Sequence, residues 1–295
     1  MDDHKHPHLH PHKHPHSHAH PHDHAHDHHH HHNHEHSADL LLCCEDLVVG
    51  YNGKPMLPGI NLQIRRGTFL SVIGRNGSGK STWFKTLLGM LPPVSGCVER
   101  TSERVKSAYV PQTSGIDALL PVRSSELVQW GRLNGWNFLW PFAKKQDRHT
   151  VRAALESAGA TIIANRPYRD LSEGQKQRAL LARVLATEAD FVLLDEPTAS
   201  MDAVAERETM QRLSELTKGP RKLAVVVVSH DLEVAAEFSD QILFVDKDAP
   251  AIVLGDPKTV FCHPAFRHKY GDDYCPVHPR AHPPLPGNPL GPTAG

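Results

Sequence analysis

"GRNGSGKS", Gly74–Ser81, decides how the rest of the chain is read. It completes a G-x-x-x-x-G-K-[ST] pattern that follows the apolar run "TFLSVIG", expected to be a strand, and precedes a stretch expected to open a helix near Gly79. The spacing has a chemical reason. Glycines let backbone wrap closely round phosphate oxygens, while loop amides and a helix N-terminus supply partial positive charge. Lys80 is then placed to reach β- and γ-phosphates, and the Ser81 hydroxyl to ligate magnesium. Gly74, Asn76, Gly77, Ser78, Gly79, Lys80, Ser81 and Thr82 are the expected contacts of this loop.

Downstream, "FVLLDEP", Phe191–Pro197, is an apolar strand ending in two adjacent carboxylates. Asp195, at a strand end facing a phosphate loop, suits a magnesium shell, and Glu196 can polarise a water for in-line attack on the γ-phosphorus. "LAVVVVSH", Leu223–His230, repeats the strand pattern, and its unbroken valines imply burial on both faces. Each of these strands leads into an amphipathic helix pattern, the order of a parallel sheet covered by helices. Upstream, Leu40–Gly74 reads as three strands with turns at Asn52-Gly53, Pro58-Gly59 and Gly67. Ser107–Pro111 reads as a short strand, and about Val122 to Thr187 as mostly helical. The fold class expected is α/β, with helices on both faces of a parallel sheet, an antiparallel β subdomain and a helical subdomain. No internal repeat is visible.

Composition narrows the function classes. Nineteen of the 25 histidines fall in residues 1–36, a tract without enough apolar side chains to order itself, so it is expected to be a disordered tail. That tail holds two basic and five acidic residues, leaving 30 and 28 of the chain's 32 and 33. The near-balance gives no electrostatic case for a nucleic-acid partner. Five cysteines, odd in number, scattered and free of C-x-x-C spacing, point to a reducing compartment and not to a disulfide framework. No run approaches the roughly 18 apolar residues of a spanning helix, so any action on a membrane goes through another chain. The last twenty residues, from Pro276, contain seven prolines and read as an extended tail.

Between the phosphate loop and the acidic strand lies "LSEGQKQRALLARVLA", Leu171–Ala186. It resembles the signature motif of ATP-binding cassette (ABC) ATPases, and the order phosphate loop, signature, Asp-Glu strand, "SH" is that family's order. The resemblance runs from about Leu40 to Gly271. It implies a P-loop NTPase core with a helical signature subdomain at about 113–187, inside a domain spanning 39–272 and flanked by tails 1–38 and 273–295. It implies ATP and Mg2+ as cofactors. By the same resemblance Tyr51 stacks on adenine, Gln112 of "VPQ" senses magnesium and the attacking water, and His230 contacts the γ-phosphate. Glu196, His230 and Gln112 are then the catalytic set, and Ser81, Gln112 and Asp195 the magnesium set. "SMD", Ser200–Asp202, matches a loop that communicates between subunits.

In this family the signature acts in trans. Ser172, Gly174, Gln175 and Asp202 would close on the nucleotide of a second copy, giving a head-to-tail homodimer with two sandwiched ATP molecules. One departure is Glu173, where glycine is commonest. The resemblance implies a motor whose load is a separate integral membrane permease, fed by an external substrate-binding protein. That places the chain at the cytoplasmic face of the membrane. "YVPQ" with "LVQWGRL" is similar to the importer branch for metal ions and iron chelates. Trp130, Trp136 and Trp140, with Phe138 and Phe142, either face a permease groove or fill the subdomain core.

The histidine tail admits several readings: a tag, a solvated tail, a pH-sensitive brush, or a metal site. Imidazole without thiolate favours Zn2+ over Cu(I), with His28, His29, His30, His31, His32, His34 and His36 as candidate ligands. A random coil of this length reaches roughly 30–36 Å. Cys262 with His263, and Cys275 with His278, are two weaker candidate pairs. The expected function is the ATPase subunit of a divalent-metal importer, zinc first. The alternatives are import of an iron chelate, manganese, nickel or cobalt, a soluble non-transport ABC ATPase, and a metal store.

Overall fold

The computed structural model describes residues 38–112, 122–133 and 145–275. The histidine tail, the aromatic residues 136–142 and the proline-rich end lie outside the described residues, as do the expectations attached to them.

The central sheet has six strands in the order β11-β10-β5-β9-β8-β7. They are β5 (Phe69–Ile73), β7 (Ser107–Val110), β8 (Phe191–Asp195), β9 (Ala224–Val228), β10 (Gln241–Asp246) and β11 (Ala251–Gly255). All neighbours run parallel except β10 and β11, so the expected parallel sheet carries one antiparallel edge strand, joined by the tight turn after Asp246. A separate antiparallel sheet has the order β4-β1-β6, from β1 (Leu40–Val48), β4 (Ile60–Arg65) and β6 (Ser95–Arg100). Strand β6 was not expected from the sequence. None of its residues is buried, so no apolar pattern announces it. The small hairpin β2 (Gly50–Tyr51) and β3 (Lys54–Pro55) turns at Asn52-Gly53.

The helices are α1 (Lys80–Leu87), α2 (Ser124–Gln129), α3 (Lys145–Ser157), α4 (Glu173–Ala186), α5 (Ala203–Lys218), α6 (Leu232–Phe238), α7 (Pro257–Cys262) and α8 (Pro264–Tyr270). The valine run behaves as a doubly covered strand must. Val225 and Val227 pack toward the cluster built from α2 to α5, and Val226 and Val228 toward the cluster of α1 and the antiparallel sheet. Strand β5 is shared still more widely: Phe69 joins the first cluster, Leu70 and Val72 the second, and Ile73 a third formed with α6, α7 and α8.

Arg132 pins the helical part together. Its guanidinium donates to Asp147 of α3 at 3.0 Å, to the Ala186 carbonyl at the end of α4 at 2.9 Å, and to Glu188 at 2.6 Å. One expectation needs correcting. Five unpaired cysteines were expected, yet Cys262 and Cys275 form a disulfide. Helix α8 folds the chain back so that their Cα atoms lie 4.8 Å apart, a return that a 13-residue separation in sequence does not reveal. Cys43, Cys44 and Cys97 remain free.

Candidate nucleotide site

The phosphate loop leaves β5 at Gly74, whose φ of +153° and close approach to β10 allow no side chain: a Cβ there would lie 2.3 Å from the Val245 carbonyl oxygen. The loop ends at Gly79, a left-handed N-cap that gives α1 no side-chain hydrogen bond. The first amides of the helix are thus left for an anion. Ser78 Oγ is buried in this loop with no hydrogen-bond partner, as expected of a group that faces a phosphate oxygen. Lys80 is 6% exposed, and its ammonium donates to the carbonyls of Gly74 at 2.8 Å and Arg75 at 3.0 Å. Burial pushes its pKa below the ordinary lysine value, opposed by the negative charges of Glu196 and Asp195.

Parallel pairing of β8 between β7 and β9 brings distant residues to one edge. Glu196, directly after β8, has a left-handed backbone at φ +53°, a conformation that costs a non-glycine residue about 1–2 kcal/mol. Its carboxylate is gripped from two sides: Gln112 Nε2 donates to Oε2 at 2.6 Å, and His230 Nε2 lies 2.5 Å from Oε1. Asp195 is 3% exposed and accepts a bond from the Tyr109 hydroxyl at 3.3 Å. Burial, then the Asp195 charge, pushes Tyr109 up to about 12. Tyr109 is the residue that sequence reasoning missed; its partner is 86 positions away, and only strand pairing joins them. The hard oxygen donors of Ser81, Asp195 and Gln112 fit magnesium, which takes one or two carboxylates and keeps the rest of its shell for phosphates and water.

The remaining expected residues form a second group. Ser172 caps α4 in a reciprocal box with Gln175, whose amide N donates to Ser172 Oγ at 3.4 Å and whose Oε1 accepts from the Ser172 amide at 3.2 Å. Glu173 turns to solvent and pairs with Lys176, so the departure from glycine does not crowd the helix end. Gly174 backs onto the Ser200–Met201 loop, and Asp202 caps α5 by accepting from the Ala205 amide at 2.9 Å. Among the described residues, no side-chain hydrogen bond joins this group to Lys80, Asp195 or Glu196. Tyr51 is 46% exposed, and Thr82 Oγ1 donates to its hydroxyl at 3.2 Å.

For a transition metal the described residues offer little. No group of three or more His, Cys, Asp or Glu among them is arranged to hold an ion. Cys262 and Cys275 are spent on each other, and His263 Nδ1 accepts from the Ala265 amide to cap α8. His278 and the tail histidines lie outside the described residues.

The ABC transporter family matches residues 57–199. Over 232 residues the chain is 36% identical to the manganese transport system ATP-binding protein MntB of Bacillus subtilis, covering 77% of this chain and 91% of that one. The chain belongs to the ABC transporter family. As an ABC ATP-binding protein it hydrolyses ATP. It is also 33% identical over 234 residues to the zinc import ATP-binding protein ZnuC of Chromohalobacter salexigens, covering 79% of this chain and 90% of that one. Among solved structures it resembles the bacterial ABC transporter cassette MJ0796, solved as a dimer. The two are 27% identical at a TM-score of 0.59, over 70% of this chain and 95% of that one. Among the described residues no helix is long and apolar enough to cross a membrane.

Proposed function

We propose that this ABC ATPase drives import of a divalent metal ion, zinc first, through a separate membrane permease, working as a head-to-tail homodimer on the cytoplasmic face. The observation that carries the metal assignment is the histidine tract, 19 imidazoles within 36 residues, on a chain similar to manganese and zinc transport proteins. Imidazole without thiolate matches zinc's ligand preference. The tail would receive or buffer the ion on the side where it is released.

Within the cassette, we assign ATP to the phosphate loop, with Lys80 on the β- and γ-phosphates and Tyr51 against the base. Magnesium, held by Ser81, Asp195 and Gln112, would neutralise charge developing on the phosphates. Glu196 takes the proton of the attacking water, and its grip by Gln112 and His230 fixes the direction of that carboxylate. The left-handed backbone at Glu196 supports this reading, since such strain persists where the surroundings over-determine it. Ser172, Gly174, Gln175 and Asp202 would meet the partner copy's nucleotide. The Ser172 hydroxyl, which accepts from the Gln175 amide within the chain, would donate its proton to a γ-phosphate oxygen.

Elemental analysis of metal-starved cells carrying the intact chain, Glu196→Gln or a chain lacking residues 1–36 tests the proposal. A selective loss of cellular zinc with Glu196→Gln is the expected result. Loss of manganese or iron instead would reassign the cargo, and no change in any metal would overturn metal import. The tail's part is read separately by isothermal titration: unchanged zinc stoichiometry on removing residues 1–36 would refute it.

A further inference from the structure

Tyr109 opens the "YVPQ" stretch with no role assigned to it, yet it sits where the buried carboxylate of Asp195 is held. It lies on β7, which among the described residues is an edge strand with β8 as its one sheet neighbour, and β8 delivers Asp195. In the parallel register Tyr109 is opposite Leu193, two residues before Asp195 and on the same face of the sheet. The tyrosine ring leans along the strand, edge-on to Phe84 of α1 at 6.3 Å, and its hydroxyl reaches Asp195 Oδ2 at 3.3 Å. Three residues further on, Gln112 holds Glu196. The end of one edge strand therefore grips both adjacent carboxylates, Asp195 through a phenol and Glu196 through an amide.

We propose that Tyr109 is a positioning residue for the magnesium carboxylate: its hydroxyl fixes the rotamer of Asp195 so that the other oxygen faces the phosphate loop. Asp195 is almost fully buried at a strand end, and a buried carboxylate aims where its hydrogen bonds point it. The hydroxyl occupies Oδ2 and leaves Oδ1 for the metal side. Because β7 leads directly into Gln112, displacement of this strand would disturb both carboxylates together. The inference rests on the nucleotide-site reading given above.

The test is Tyr109→Phe, which keeps the ring against Phe84 and removes the hydroxyl alone. Binding of a fluorescent ATP analogue is titrated against Mg2+, with a parallel titration in EDTA and a thermal melt. The expected result is a half-saturating Mg2+ raised about fivefold, the scale of one hydrogen bond of ordinary net strength, in keeping with its 3.3 Å length. Affinity in EDTA should stay at its original value, while the melting temperature should fall by a few degrees at most, the scale of one lost hydrogen bond. Asp195→Asn calibrates the assay by abolishing the Mg2+ dependence. An unchanged Mg2+ half-saturation in Tyr109→Phe overturns the proposal. So does an equal loss with and without Mg2+, which would make the residue a packing element. If the unaltered chain shows no Mg2+-dependent nucleotide binding, the site assignment itself fails, a different outcome from either.

Discussion

Replacing Gly74 with alanine should weaken ATP binding by about 30-fold. The added methyl would meet the Val245 carbonyl oxygen at 2.3 Å and Ser78 Oγ at 3.0 Å. An ordinary carbon–oxygen contact needs about 1 Å more than the first of these. Val245 is fixed in β10, so the phosphate loop must give way, and with it the Gly74 carbonyl that holds the Lys80 ammonium. Inserting one methyl into such a packed place costs about 1–3 kcal/mol. Spent on displacing the loop, the middle of that range is roughly the 30-fold stated, at about 1.4 kcal/mol per tenfold. Equilibrium titration with a fluorescent ATP analogue measures it. Gly53→Ala is the comparison: it too has a positive φ, +72°, but nothing lies within 4 Å of the added carbon. That variant should lose stability and keep its ATP affinity. Gly74→Ala binding ATP within about twofold of the unaltered chain would refute the argument, because the methyl would then be accommodated without moving the loop.

Glu196→Gln keeps the shape of the side chain and removes the base, so phosphate release should slow by about 10²–10⁴ while ATP binding persists. The depressed pKa of Lys80 sets a pH dependence. The folded chain holds that proton less tightly than the unfolded one, so stability without nucleotide should rise with pH between the lowered folded value and the ordinary lysine value of 10.5. ATP restores the charge, so binding in that window should take up protons, visible as a buffer-dependent heat by calorimetry. Arg132→Met retains the aliphatic stem but strips three acceptors of their donor, one of them on the more exposed Glu188. The expected loss is about 2–3 kcal/mol, read as a lower urea midpoint at unchanged slope.

What could be read in advance was contiguous. The phosphate loop, the Asp-Glu strand end and the signature each place their chemistry within a few residues, and the valine run states its own double burial. What escaped depends on pairing across the chain. Tyr109 and Asp195 meet because β7 lies beside β8, and no local pattern says which strands will be neighbours. Strand β6 has no buried residue to mark it. Cys262 and Cys275 are brought together where Phe261, Phe266 and Tyr274 pack on one another around α7 and α8, contacts that no local pattern announces. The solvent-facing position of Glu173 goes with its pairing to Lys176 one helical turn on, which the departure from glycine does not by itself reveal.

Strand β5 gives one residue or more to each of the three apolar clusters, and the phosphate loop is its direct continuation. No cluster can melt without releasing part of the strand from which the loop hangs. Occupancy of the loop is therefore a gauge of the integrity of the whole cassette body. Bound nucleotide should raise the hydrogen-exchange protection of all three clusters together, so that the body opens as one cooperative unit and offers proteases no partly folded form that still holds ATP.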